Sequence, residues 1–114
     1  MNGASAGDAF LLKIQSKIGD RNYRLTSHAE AERESDKISI AELEEALLSP
    51  SCEVIEDYPD DPRGHSCLAL GFAENGAAIH VVLGVGPGED PLVVVTVYRP
   101  DQARWENWRT RRTP

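Results

Sequence analysis

Between Pro50 and Pro100 the chain is a succession of four short apolar runs cut by turn formers, and this pattern restricts it to a fold built on a sheet. Cys52–Asp57, Ser66–Phe72, Ala78–Val85 and Leu92–Tyr98 each have the length and apolar content of a strand. Glu74-Asn75-Gly76 separates the second from the third, and Asn-Gly suits the positive φ of a tight hairpin turn. Tyr58–Gly64 and Gly86–Pro91 are dense in Pro, Gly and Asp and read as loops. The fourth run is apolar on both faces, which places it inside the sheet. Strand alternation puts Leu92, Val94, Thr96 and Tyr98 on one face.

Helical spacing comes first. Phe10, Leu11, Ile14 and Ile18 recur at helical intervals and Gly19 follows as a stop. Tyr23–Thr26 is a short strand or an extended entry. Ser27 with Glu30, and Ser39 with Glu42, have the spacing of capping boxes and predict helices over 28–36 and 40–49. Ile40, Leu43, Ala46 and Leu47 form the apolar stripe of the second, and Pro50 ends it. A terminal helix is expected over 103–112, with Trp105 and Trp108 on one side. Helices followed by a meander predict an α+β fold, one antiparallel four-stranded sheet with N-terminal helices on one face. Residues 1–7 are expected to be a disordered N-terminus and residues 8–114 a single domain.

At 114 residues, 40% hydrophobic and 27% charged, the chain has one domain's worth of core. Its longest apolar run is far below the ~20 residues of a membrane span, and the opening residues have no leader-like character. Cys52 and Cys67 are too few for a disulfide scaffold, so reduced thiols and a cytoplasmic setting are expected. The net charge of −7 is unevenly spread. Residues 28–62 hold twelve acids against Arg33 and Lys37, a net −10, while residues 99–114 hold five arginines against two acids, a net +3. This leaves two options open: a basic patch for phosphate at the C-terminus, or an acidic segment facing a basic partner.

His28 falls at a helix start, where the dipole favours a neutral imidazole able to act as a general base; the alternative is a surface histidine. Arg63, before Gly64, could fork onto a phosphate or pair with Asp57, Asp60 or Asp61 and lock the loop. Those three aspartates with His65 lack any recognised metal-ligand spacing. His80, among apolar neighbours, reads as a core histidine. Trp105 and Trp108 either dock the tail on the sheet or stack bases. Arg99, Arg104, Arg109, Arg111 and Arg112 are the candidate phosphate binders.

Tyr23-Arg24-Leu25-Thr26-Ser27-His28-Ala29, the string Val54–Gly64, Ser66-Cys67-Leu68, Ile79–Val82 and Thr96–Asp101, with Trp105, together resemble a family of small bacterial proteins catalogued as domain of unknown function 4258. The resemblance spans about residues 22–112. It implies the α+β fold of RelE- and ParE-like toxins (the barnase–EndoU–colicin–RelE type) and a toxin of a toxin–antitoxin pair. The implied activity is metal-independent cleavage of RNA without a cofactor; the implied partner is a zinc-finger or helix-turn-helix antitoxin. On this resemblance His28 would be the base, Arg63 the phosphate clamp, Tyr98 or Thr96 an orienting hydroxyl, and Glu32 would orient His28 or act as a second acid/base. Arg99 and His65 depart from the family pattern, as does the acidic charge. Two rivals stand beside this reading: a non-catalytic module binding a basic partner through residues 28–62, and a metal-assisted nuclease at Asp57, Asp60 and Asp61.

Overall fold

The computed structural model describes residues 6–86, 88 and 90–113. Its elements are α1 (Ala6–Gly19), β1 (Tyr23–Leu25), α2 (Ser27–Ser35), α3 (Ile40–Leu48), β2 (Glu53–Tyr58), β3 (Ser66–Phe72), β4 (Ala78–Val85), β5 (Leu92–Tyr98), β6 (Trp105–Glu106) and β7 (Thr110–Arg111). The tail expected over 1–7 lies outside the described residues up to residue 5, and α1 begins at Ala6. Ser39 and Glu42 form the expected capping box at α3. At α2 the cap lies one residue earlier than expected. Thr26, not Ser27, accepts the Ala29 N–H, because the Thr26 hydroxyl also donates to the Val95 carbonyl and so joins helix to sheet.

The sheet corrects the four-stranded antiparallel expectation. It has five strands in the order β1-β5-β4-β3-β2, and β1 pairs parallel to β5. Three residues are too few to show a strand period, so β1 is defined by pairing rather than pattern. Beyond β1 the edge of β5 is covered by α2. The Glu32 carboxylate accepts the Val97 N–H at 3.2 Å and the Asp36 carboxylate accepts the Arg99 N–H at 2.8 Å. Two acids thus satisfy backbone donors that an open edge would expose.

The core lies between the helices and one sheet face. Phe10, Ile14 and Ile18 of α1 and Leu43, Ala46 and Leu47 of α3 pack on Cys67, Ala69, Ile79, Val81, Leu83, Leu92 and Val94. Each fully buried Leu or Ile contributes roughly 1.5–3 kcal/mol of apolar transfer. A register shift between Val82 and Leu83 of β4 places an extra residue, Val95, in β5. The bulge inverts the alternation. Leu92, Val94 and Val97 enter the core, whereas Thr96 and Tyr98 face the opposite side, so the four residues expected to share a face do not.

The expected terminal helix over 103–112 is instead a hairpin, β6 paired with β7. Asn107 and Trp108 both have positive φ, 52° and 65°, and Arg109 N–H returns to the Glu106 carbonyl. That is a primed turn, which Asn favours and a tryptophan adopts only under tertiary constraint.

Gly71 of β3 faces α3 so closely that a Cβ would sit 2.2 Å from the Ala46 carbonyl oxygen. Gly71→Ala is expected to destabilise by about 2 kcal/mol. Thermal unfolding should show a fall in Tm of roughly 10 °C. An unchanged Tm would mean that α3 does not seat against β3 at this distance.

Candidate functional site

The sheet face away from the helices carries its polar chemistry in rows fixed by strand register. Glu53, Leu70, His80 and Tyr98 lie side by side across β2, β3, β4 and β5. Glu56, Leu68, Val82 and Thr96 form the next row, and Tyr58, Ser66, Gly84 and Val93 the one after. The C-terminal hairpin covers the first row. Arg109 forks onto Glu53 at 2.8 and 3.1 Å, and Arg111 onto Glu56 at the same two distances. Arg111 also lies 4.6 Å above the Trp105 ring, and Trp105 is buried edge-on against His80.

His80 has no solvent exposure, and both its ring nitrogens are engaged. Nε2 lies 2.7 Å from the Trp108 carbonyl and Nδ1 lies 3.1 Å from the Tyr98 hydroxyl. A carbonyl only accepts, so Nε2 carries the proton; in the neutral ring Nδ1 then accepts from Tyr98. Burial holds the His80 pKa below its usual range, opposed by the Trp108 hydrogen bond and the Glu56 charge. Burial also pushes the Tyr98 phenol up, against the lowering effect of Arg111. Tyr98 is therefore a protonated donor at neutral pH, with a neutral acceptor behind it. The hydrogen bond from Arg111 leads in holding the Glu56 carboxyl below its usual range.

In front of Tyr98 opens a cleft of about 840 Å³, with Arg99, Arg104, Arg111 and Arg112 in its lining. These arginines are not equivalent. Arg99 turns to the α2–α3 junction, donating to the Asp36 and Lys37 carbonyls and to Glu42. Arg109 and Arg111 are held by Glu53 and Glu56. Arg112 donates Nε to the Gln102 carbonyl, and among the described residues the rest of its fork has no partner. Among the described residues the Arg104 guanidinium has no partner, and the Arg112 N–H to Arg104 carbonyl bond holds the two side by side. Of the five candidate phosphate binders, Arg104 and Arg112 are the ones offered to a ligand.

The remaining predicted residues lie outside the lining of this cleft. His28 is exposed, with Nε2 3.2 Å from the Glu32 carboxylate. Glu32 is in turn bound to the Val97 N–H and contributes to the field at Tyr98. Arg63 lies at the other end of the strands, four residues of β3 and a loop away from the Tyr98 row, about 14 Å along β3 alone. It locks its loop. Asp61 accepts from the Arg63 backbone N–H and guanidinium and from the Ser66 hydroxyl, and these bonds hold its pKa down at about 2. Asp57 is bound to His65, whose ring stacks on Phe10 at 3.8 Å. Among the described residues, Asp57, Asp60 and Asp61 do not converge as metal ligands.

Most of the acidic segment is spent on the fold. Glu32, Asp36, Glu42, Glu53, Glu56, Asp57 and Asp61 bind groups named above; Glu44 accepts from the Tyr23 hydroxyl and Glu45 from the Glu74 N–H. His80 is the site residue that sequence reasoning set aside. Its signal was its strand neighbour: pairing the third and fourth runs places it opposite Tyr98.

Because the folded pKa of His80 is lowered, the folded state binds fewer protons there than the unfolded chain, whose histidine titrates near 6.5. Its contribution to stability is full above about pH 6.5 and declines as pH falls below that value. Urea midpoints from pH 8 to 5 should therefore fall less steeply in His80→Gln than in the wild type. Equal slopes would mean that this imidazole is not held neutral.

A family model described as Domain of unknown function (DUF4258) matches residues 25–99. Comparison with curated proteins and with solved structures gives no match. The hairpin that brings Arg104 and Arg112 to Tyr98 lies beyond the matched segment. No described helix is long and apolar enough to cross a membrane.

Proposed function

This chain belongs to the DUF4258 family, and from that premise we propose that it is a toxin-type protein that binds RNA in the Tyr98 cleft and cleaves it without a metal. The observation that carries the reading is the open pair Arg104 and Arg112 beside a phenol backed by a neutral imidazole, on a protein whose other charges are largely paired. Two guanidinium groups hold a phosphodiester and stabilise the charge that grows on its oxygens. The 2′-oxygen attacks phosphorus and the bond to the 5′-oxygen breaks. The 2′-hydroxyl proton passes to the Tyr98 oxygen as the Tyr98 proton passes to His80 Nδ1. Water protonates the leaving 5′-oxygen, and the resulting hydroxide takes the proton back through the Tyr98 hydroxyl, which recovers its own proton from His80 Nδ1. The products are a 2′,3′-cyclic phosphate and a 5′-hydroxyl end. The His28–Glu32 pair is the second candidate base, since Glu32 orients the imidazole at 3.2 Å.

The resemblance to RelE- and ParE-like toxins that the sequence implies points the same way, and with it we propose a zinc-finger or helix-turn-helix antitoxin as partner. The rival, a module that binds a basic partner through residues 28–62, is disfavoured by the internal engagement of those acids. Arrest of bacterial growth after induced expression tests the reading, with soluble protein levels matched. Wild type should arrest growth, in EDTA-treated extracts it should still cleave RNA, and Tyr98→Phe and Arg104→Ala should each lose cleavage by about a hundredfold or more. Loss in His28→Ala with activity kept in Tyr98→Phe would move the base to α2. No arrest and no cleavage at good expression would favour the interaction module.

A further inference from the structure

The same sheet face holds a second cavity, of about 630 Å³, where β2 turns into β3. Val82 contributes its floor, Tyr58 a wall, and Asp60 and Ser66 its polar edge. Tyr58 is 44% exposed, one of the few large hydrophobic residues left open among the described residues. Asp60 has no partner among the described residues, whereas Asp57 and Asp61 are bound to His65 and Arg63. Glu56 links this cavity to the Tyr98 cleft. Glu56 accepts from the Tyr58 hydroxyl on one side and from Arg111, which lines the cleft, on the other.

The two cavities differ in chemistry. The cleft offers open guanidinium groups and suits a phosphate. The second offers an aromatic face, an apolar floor and the open Asp60 carboxylate, with Arg63 in its lining already paired with Asp61; the carboxylate accepts hydrogen bonds from an exocyclic amine. Unstacked bases are recognised by such a combination of stacking and edge acceptors.

We infer that the Tyr58 cavity is a nucleobase subsite for the same RNA strand, and that it selects bases carrying an exocyclic amine (cytosine, adenine or guanine) over uracil. The inference rests on the RNA reading of the Tyr98 cleft and adds a polarity to it, phosphate at the hairpin end and base at the β2–β3 end. The rows of Tyr98 and Ser66 are four β3 residues apart, about 14 Å. A ligand with a single phosphodiester does not fill both cavities.

Calorimetry with cytidine and uridine oligonucleotides, two and six nucleotides long, at low salt tests this. The cytidine hexamer should bind more tightly than the uridine hexamer, and the two dimers should bind alike. Tyr58→Ala should weaken the cytidine hexamer about tenfold and leave the dimers unchanged, while Tyr58→Phe, which keeps the ring, retains binding. Asp60→Ala should abolish the preference for cytidine over uridine. Arg104→Ala should weaken both lengths. If Arg104→Ala weakens binding while Tyr58→Ala and Asp60→Ala change neither affinity nor preference, the subsite is overturned and the RNA reading stands. If neither hexamer nor dimer binds the wild type, the RNA reading fails and the subsite fails with it.

Discussion

A histidine without solvent contact must find partners for both ring nitrogens, and the way His80 does so fixes the working face of this protein. Nε2–H points at the Trp108 carbonyl and Nδ1 at the Tyr98 hydroxyl. An unpaired buried nitrogen would cost on the order of 1–3 kcal/mol, so the imidazole holds the hairpin turn and the phenol in one arrangement. Trp108 takes its positive φ there, Trp105 closes over the ring, and the hairpin then carries Arg104 and Arg112 to the cleft. Chemistry and packing meet in one side chain that looks, from sequence, like core.

The uneven charge of the chain has the same resolution. The basic C-terminal segment folds back on the acidic one, Arg99 at the α2–α3 junction, Arg109 on Glu53 and Arg111 on Glu56. Exposed pairs of this kind contribute ~0–1 kcal/mol each, so they align the hairpin more than they hold it. Burial of Trp105 supplies the larger part, since emptying such a site costs roughly 3–5 kcal/mol. What the pairing does decisively is select. It consumes Arg109 and Arg111 and leaves Arg104 and Arg112, at the open end of the hairpin, for a ligand.

Local signals were legible wherever the structure is locally determined. The second, third and fourth apolar runs match β3, β4 and β5 end to end, because turn chemistry brackets each of them. Ser39 and Glu42 cap α3 as their spacing predicts. The rest depends on contacts between distant residues. β1 is three residues paired in parallel with a strand some seventy positions later in the chain. The bulge at Val95 answers to the register of β4, so no pattern within β5 reveals that Tyr98 turns away from the core. Trp105 and Trp108 have helical spacing, yet positive φ at Asn107 and Trp108 is imposed by His80. The site was half legible for the same reason. Tyr98 and the arginines could be read, but which arginines stay open is settled by Glu53, Glu56 and Glu42 across the fold, and Arg63 was drawn away by Asp61 beside it.

The central claim is that two arginines, not five, meet the ligand. The salt dependence of binding to single-stranded RNA measures this directly, since each neutralised phosphate adds ~0.7 to the slope of log affinity against log salt. Arg104 and Arg112 acting alone predict a slope of about −1.4, lost by roughly half in Arg104→Ala and unmoved in Arg109→Ala. A slope near −3.5, falling equally with Arg99, Arg104 and Arg109, would mean that the internal pairs open to the ligand and would contradict the account.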